Sequence, residues 1–123
     1  MTKRSIFVVD DQLAIRRMFK ALFIGEPYEV DMAEDGLIAY QAATAKRYDL
    51  ILTDYHMPNC NGIELITRLR KLSMYNGVPI LVVSTESNRS KKDEGRKVGA
   101  NGWIIKPVDK ETLMPAVRKM LGD

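Results

Sequence analysis

Apolar residues in this chain fall into short unbroken runs separated by stretches of helical spacing, and the alternation of the two patterns suggests a fold. The clearest run is Leu50-Ile51-Leu52-Thr53, preceded by Asp49 and closed by Asp54. Apolar residues continuous over the length of a strand, ending in an acid, read as a strand buried on both faces. Met57-Pro58 stops it, since proline cannot donate to a sheet ladder. Three other runs have the same form: Ile6-Phe7-Val8-Val9, closed by Asp10-Asp11; residues 79–83, closed by Ser84-Thr85-Glu86-Ser87; and Gly102-Trp103-Ile104-Ile105, closed by Lys106-Pro107. Residues 28–33 differ. There Val30 and Met32 alternate with Glu29 and Asp31, which suits a strand at a sheet edge with one wet face.

Between the runs lie helical patterns. Leu13, Ala14, Met18, Ala21 and Leu22 recur at helical spacing, with a cap expected at Asp10 or Asp11. Asp35-Gly36 opens a second helix carrying Leu37, Ile38, Ala42 and Ala45. Asn61 with Glu64 three positions on predicts a capping box for a third, with Ile63, Ile66, Leu69 and Leu72 on one stripe and Asn76-Gly77 as its end. Residues 87–100 form a poor fourth helix, with Gly95 inside and no large apolar side chain from 87 to 97. Helices are held mainly by an apolar face, so this one is expected to be short, loosely packed or mobile. A fifth, capped by Asp109, carries Leu113, Val117 and Leu121. Pro115 opposes the carbonyl of Glu111 there, so the helix is expected either to start later than Asp109 or to kink.

Five strands alternating with five helices predict an α/β fold, a parallel sheet covered on both faces, in the open doubly wound form rather than a barrel twice as long. The chain has 123 residues, and its sequence ends two residues after Leu121. A single domain over residues 1–123, with no output domain, is expected.

Composition narrows the class. Hydrophobic residues make up 46 %, enough for one sizeable core. The single cysteine, Cys60, has no internal partner, and no segment has the length of a signal or membrane-spanning run. A cytoplasmic protein without membrane insertion is expected. The net charge of +3 is mild. Arg89, Lys91, Lys92, Arg96 and Lys97 cluster, but no aromatic residue interleaves with them, so a solvated helix face is expected and no nucleic-acid partner.

The ends of the strands carry the chemistry. In a parallel sheet the carboxyl ends point one way, and an open α/β sheet keeps its binding crevice there. Asp10, Asp11, Asp54, Ser84, Thr85 and Lys106 therefore converge from four parts of the chain. Two carboxylates ~4 Å apart repel by roughly 1 kcal/mol in water and roughly 4 at an effective dielectric of 20. One lysine does not relieve three acids, and an all-oxygen site suits Mg²⁺. A hard cation, a carboxylate nucleophile, a hydroxyl and a lysine are the parts of phosphoryl transfer to an aspartate.

These residues, with Val8-Val9-Asp10-Asp11, Asp54-Tyr55-His56-Met57-Pro58, Asn61-Gly62, Val83-Ser84 and Lys106-Pro107 in order, resemble the receiver domain of response regulators, and among them the stand-alone chemotaxis (CheY-like) type. The resemblance covers essentially the whole chain. It implies a flavodoxin-like sheet of strand order 2-1-3-4-5, a two-component signalling switch, and a sensor histidine kinase as donor. It also implies a downstream protein target on the face of the fourth helix, fifth strand and fifth helix.

For the site, the resemblance implies Asp54 as phosphoacceptor, Asp11 on Mg²⁺ with Asp10 assisting, the His56 carbonyl as a further ligand, and catalytic roles for Lys106 and Ser84. Ser84 and Trp103 occupy the switch positions, and the Lys106-Pro107 bond is often cis in relatives. Trp103 stands where Tyr or Phe is usual, and plain packing at a strand end is its other reading. His56 and Glu86, two residues beyond Asp54 and Ser84, occupy positions that influence aspartyl phosphate hydrolysis, with a solvated loop histidine as the other reading for His56. Such a chain catalyses only its own phosphorylation and dephosphorylation.

Four other functions are weighed against this. A phosphorelay intermediate and an unphosphorylated docking module share the resemblance. An aspartate-nucleophile phosphatase would place Asp-x-Asp after the first strand, and a flavin binder would have its phosphate repelled by Asp10-Asp11.

Overall fold

The computed structural model describes residues 3–123. Five strands, β1 (Arg4–Val9), β2 (Tyr28–Ala33), β3 (Leu50–Thr53), β4 (Ile80–Ser84) and β5 (Gly102–Ile105), form one parallel sheet in the order β2-β1-β3-β4-β5. Five helices connect and flank them: α1 (Leu13–Leu22), α2 (Gly36–Ala45), α3 (Gly62–Leu69), α4 (Arg89–Val98) and α5 (Lys110–Leu121). The register carries one row across the interior, Val8 beside Leu52, Leu52 beside Leu81, and Leu81 beside Gly102. This is the flavodoxin-like fold expected above, with β2 at an edge.

Alternation within the strands divides the core in two. Phe7, Val9, Ile51, Ile80 and Val82 meet Ala39, Ala43, Leu65, Ile66 and Leu69 on the face covered by α2 and α3. Ile6, Val8, Leu50, Leu52, Leu81 and Val83 meet Phe19, Leu113, Val117 and Leu121 on the face covered by α1 and α5. All four residues of β3 are buried. Each such aliphatic side chain contributes about 1.5–3 kcal/mol by leaving water.

Tyr75 adds a polar tie to the first core. Its side chain is wholly buried. The hydroxyl lies 2.8 Å from the Ala43 carbonyl and 2.9 Å from that of Lys46, and it accepts the Tyr48 N–H at 3.3 Å. Tyr75→Phe leaves these backbone groups without their partner. A loss of about 1–3 kcal/mol is expected, read as a lower urea midpoint; an unchanged midpoint contradicts it.

Several local expectations are corrected. The N-cap of α1 is Gln12, and it makes no side-chain cap. Asp10 turns its carboxylate into the crevice, accepting the Gln12 N–H, and Asp11 stays on the rim. α3 stops at Leu69, short of Leu72, and a 3-10 turn at Ser73–Tyr75 follows. The capping box at Asn61 and Glu64 is present. α5 starts at its expected cap, Asp109, with Pro115 inside it, which removes the later start. Glu111 is exposed, so water can satisfy the carbonyl that lacks its helical donor.

α4 has ten residues, as many as α1 and α2, and is not short. It is held by contacts other than an apolar stripe. Gly95 is buried against Trp103, where an added Cβ would lie 3.1 Å from the indole Cζ3. The Tyr55 hydroxyl donates to Glu94 Oε1 at 3.0 Å. Arg89, Arg96 and Lys97 are exposed, as expected of a solvated face, whereas Lys91 and Lys92 are half-buried.

Candidate functional site

The site lies at the carboxyl ends of β1, β3 and β5. β3 pairs with β1 on one side and β4 on the other. The Asp54 N–H donates to the Val9 carbonyl and the Asp10 N–H to that of Ala33, so both acids leave the sheet on ladder hydrogen bonds. The Lys106 N–H donates to the Ser84 carbonyl and fixes the end of β5 in the same way. Arg16 of α1 donates from Nη1 to the Asp10 carbonyl at 2.7 Å.

The side chains converge as the strand ends predicted. Ligand oxygens of Asp10, Asp11 and Asp54 lie within 4.8 Å of one another. Asp10 and Asp54 are buried and Asp11 is exposed. The Lys106 ammonium lies 2.7 Å from Asp10 Oδ2 and 3.4 Å from Asp54 Oδ2. One lysine thus serves two of the three acids, in keeping with the expectation that it does not relieve all three. It reaches the two buried carboxylates and leaves the exposed one to solvent.

Asp54 Oδ1 accepts the N–H of Tyr55 at 2.8 Å. Burial pushes the Asp54 carboxyl above its ordinary range and the Asp10 charge pushes the same way, while Lys106 and the Tyr55 N–H oppose them. Three clustered carboxylates with an open side fit a hard cation that takes oxygen ligands. The donor set has no sulfur or imidazole nitrogen to favour a softer metal.

A crevice of about 450 Å³ opens over these groups, with Asp11, Asp54, Thr85 and Lys106 on its walls beside Ile15, Met18 and Val108. His56 stands at its mouth, its side chain 64 % exposed and Nε2 3.7 Å from Glu86 Oε2. The loop after β3 makes its turn at Asn59, whose φ is +68°, a conformation that asparagine adopts more readily than most residues. The Lys106-Pro107 bond is cis.

Two expected site residues stand apart from the acids. Ser84 is wholly buried, and its Oγ accepts the Glu86 N–H at 3.1 Å. Trp103 packs under α4 against Tyr55, and its indole N–H donates to the Glu86 carbonyl at 2.8 Å. Both therefore bear on the β4–α4 loop. Sequence reasoning missed Tyr55 and Glu94 as a pair. The signal available was an aromatic next to the key acid together with a helix that had nothing apolar to rest on.

Residues 6–118 match the family described as response regulator receiver domain. The chain is 35 % identical over 121 residues to the response regulator ArlR of Staphylococcus saprophyticus, covering 98 % of this chain and 53 % of that protein. It thus spans about half the length of the curated relatives it matches. Among solved structures it is similar to Vibrio cholerae chemotaxis protein CheY4, with TM-score 0.93 and 38 % identity over 98 % of this chain and 100 % of that one. A response regulator protein from Burkholderia multivorans gives TM-score 0.82 and 40 % identity over 99 % and 97 %. No helix among the described residues is long and apolar enough to cross a membrane. The parallel order of the sheet, the acids gathered at its centre and a family match over nearly every residue agree: this chain belongs to the response regulator receiver domains.

Proposed function

We propose that this chain is the phosphorylation switch of a two-component system: one receiver domain over residues 1–123, in the cytoplasm, with Asp54 as phosphoacceptor and a histidine kinase as donor. The observation that carries the reading is the state of Asp54. It is a buried carboxylate at the end of the central strand, with Oδ1 held by the Tyr55 N–H and Oδ2 facing Lys106 across 3.4 Å.

In the reaction, an Asp54 oxygen forms a bond to phosphorus as the donor's phosphorus–nitrogen bond breaks, and the imidazole leaves with its electron pair and takes up a proton. Lys106 pairs with a phosphoryl oxygen, and Ser84 gives up its bond from Glu86 to donate its hydroxyl to another. Asp10, Asp11, Asp54 and the His56 carbonyl would hold a Mg²⁺, which when bound would supply positive charge against the repulsion between carboxylate and phosphoryl oxygens. Hydrolysis of the aspartyl phosphate by water returns the chain to its starting state, so it is a switch and not a turnover enzyme.

Ser84 and Trp103 both hold the β4–α4 loop through Glu86, which supports the face of α4, β5 and α5 as the output surface. A cavity of about 230 Å³ there is edged by Lys92 and Arg96 beside Trp103, and suits an acidic segment of the target. Similarity over 98 % of this chain to Vibrio cholerae chemotaxis protein CheY4 supports a role in chemotaxis.

The test is incubation with acetyl phosphate, with and without Mg²⁺, followed by intact mass, with Trp103 fluorescence in parallel. One phosphoryl mass gained only with the metal is expected, and no gain overturns the proposal. His56, at the crevice mouth beside Glu86, restricts the approach of water. His56→Asn is expected to shorten the lifetime of phospho-Asp54 by a few-fold, followed by mass decay after donor removal, and an unchanged lifetime removes that role.

A further inference from the structure

α4 lies on a platform made by Tyr55 and Trp103, and its attachments differ along its length. Tyr55 follows the phosphoacceptor directly, and its N–H holds Asp54 Oδ1. The residue is only 5 % exposed, its ring centre lies 4.6 Å from that of His56 and 5.8 Å from that of Trp103, and its hydroxyl reaches Glu94 on α4. Lys91 Nζ lies 5.4 Å from the centre of the same ring. One residue therefore touches both the reacting carboxylate and the N-terminal two turns of α4.

The other end is clamped. Arg70 donates to the Gly99 carbonyl from Nε at 3.1 Å and from Nη2 at 2.8 Å, to Asn101 Oδ1 at 2.9 Å and to the Tyr75 carbonyl at 2.7 Å. Gly99 is the C-cap of α4 at φ +116°, and the Arg70 side chain fills the space a Cβ would take, with Cγ at 2.8 Å. Residues 89–94 carry no large apolar side chain to hold them otherwise.

We propose that Tyr55 is a positioning residue that ties α4 to the phosphoacceptor, and that Arg70 makes the C-terminal end of α4 the pivot about which its first two turns move. The inference rests on Asp54 being the phosphoacceptor. A change in charge and size at Asp54 shifts the peptide that bonds it, and the Tyr55 hydroxyl carries that shift to Glu94. The guanidinium keeps Gly99 where it is, so a small shift becomes a tilt of the helix.

Hydrogen exchange on the full chain, free and with beryllofluoride and Mg²⁺, tests this in the parent chain and in Tyr55→Phe, Glu94→Ala, Glu94→Gln and Arg70→Gln. In the parent chain, beryllofluoride is expected to speed exchange in residues 89–94 while 96–99 stay slow. Tyr55→Phe and Glu94→Ala should each speed residues 89–94 in the free state by about tenfold, the scale of one lost hydrogen bond to a charged group. Both should reduce the beryllofluoride response, and Glu94→Ala should leave phosphoryl mass gain from acetyl phosphate within a few-fold. Glu94→Gln keeps an acceptor and should behave as the parent, and Arg70→Gln should speed residues 96–99.

The proposal is overturned if Tyr55→Phe leaves the free-state exchange and the response intact, if Glu94→Ala does not share its effect, or if exchange rises equally in all helices. Glu94 is exposed, so Glu94→Ala decides the matter even where Tyr55→Phe disturbs folding. A parent chain that gains phosphoryl mass without any response in α4 overturns this inference alone, whereas one that gains no mass overturns the phosphoacceptor reading.

Discussion

Replacing Asp54 with asparagine is expected to abolish phosphoryl uptake and to make the fold more stable at neutral pH. The first effect is total, because the amide offers no carboxylate oxygen to phosphorus. The second follows from the surroundings of the side chain. Burial raises the Asp54 carboxyl from its ordinary value of 3.8, the Asp10 charge adds to it, and Lys106 with the Tyr55 N–H offsets only part. A carboxyl raised in the folded state favours the fold when protonated. That contribution is complete below the unfolded value and is lost as pH rises through the folded one, so at pH 7 the ionised form is carried at a cost.

Asp54→Asn removes that cost. A gain on the order of 1 kcal/mol, about 4 °C in the melting midpoint, is expected at pH 7 in the presence of a chelator. Below about pH 4 the two proteins should converge, since both then carry a neutral side chain at this position. Urea midpoints from pH 3 to 8 check the sign, and an Asp54→Asn chain that is less stable at pH 7 contradicts it.

The second large effect is expected at Gly62. This residue opens α3, and its N–H donates to the Tyr55 carbonyl at 2.9 Å. A Cβ there would overlap the carbonyl oxygen of Asp54 and lie 3.2 Å from both the Asp54 carbonyl carbon and the Tyr55 Cα. All three are backbone atoms of the segment that presents the Asp54 side chain, and none can swing aside as a side chain would. Gly62→Ala should cost about 3 kcal/mol, a drop of about 10 °C, and should slow uptake of phosphoryl groups by displacing Asp54. Gly77 provides the control. It has φ +80° and open space around it, so Gly77→Ala should cost only the ~1–2 kcal/mol of a left-handed backbone. Equal losses at the two positions would show that the overlap is relieved by a small backbone shift.

Much of this arrangement was legible in the sequence, for a definite reason. A strand buried on both faces shows itself as an apolar run, and parallel strands bring their closing residues to one side, so the sequence alone gathers Asp10, Asp11, Asp54 and Lys106. The strand order came from the family resemblance, since no periodicity encodes which strands are neighbours. What stayed hidden was polar contact between elements far apart in the chain. The Tyr55–Glu94 bond and the four donations of Arg70 leave no repeat in the sequence, and so α4 looked unsupported. The cap of α1 was misread because a carboxylate before a helix looks the same whether it turns to the helix or, as Asp10 does, toward Lys106.

The pairing of Asp10 with Lys106 spans 96 positions, and its consequence concerns synthesis. An unfinished polypeptide on the ribosome already holds both buried acids once β3 has emerged, but not the ammonium group that counters them. If Asp54 is the phosphoacceptor proposed above, phosphoryl uptake is expected only after the last strand has docked, and a nascent chain that has not completed its sheet should take up none.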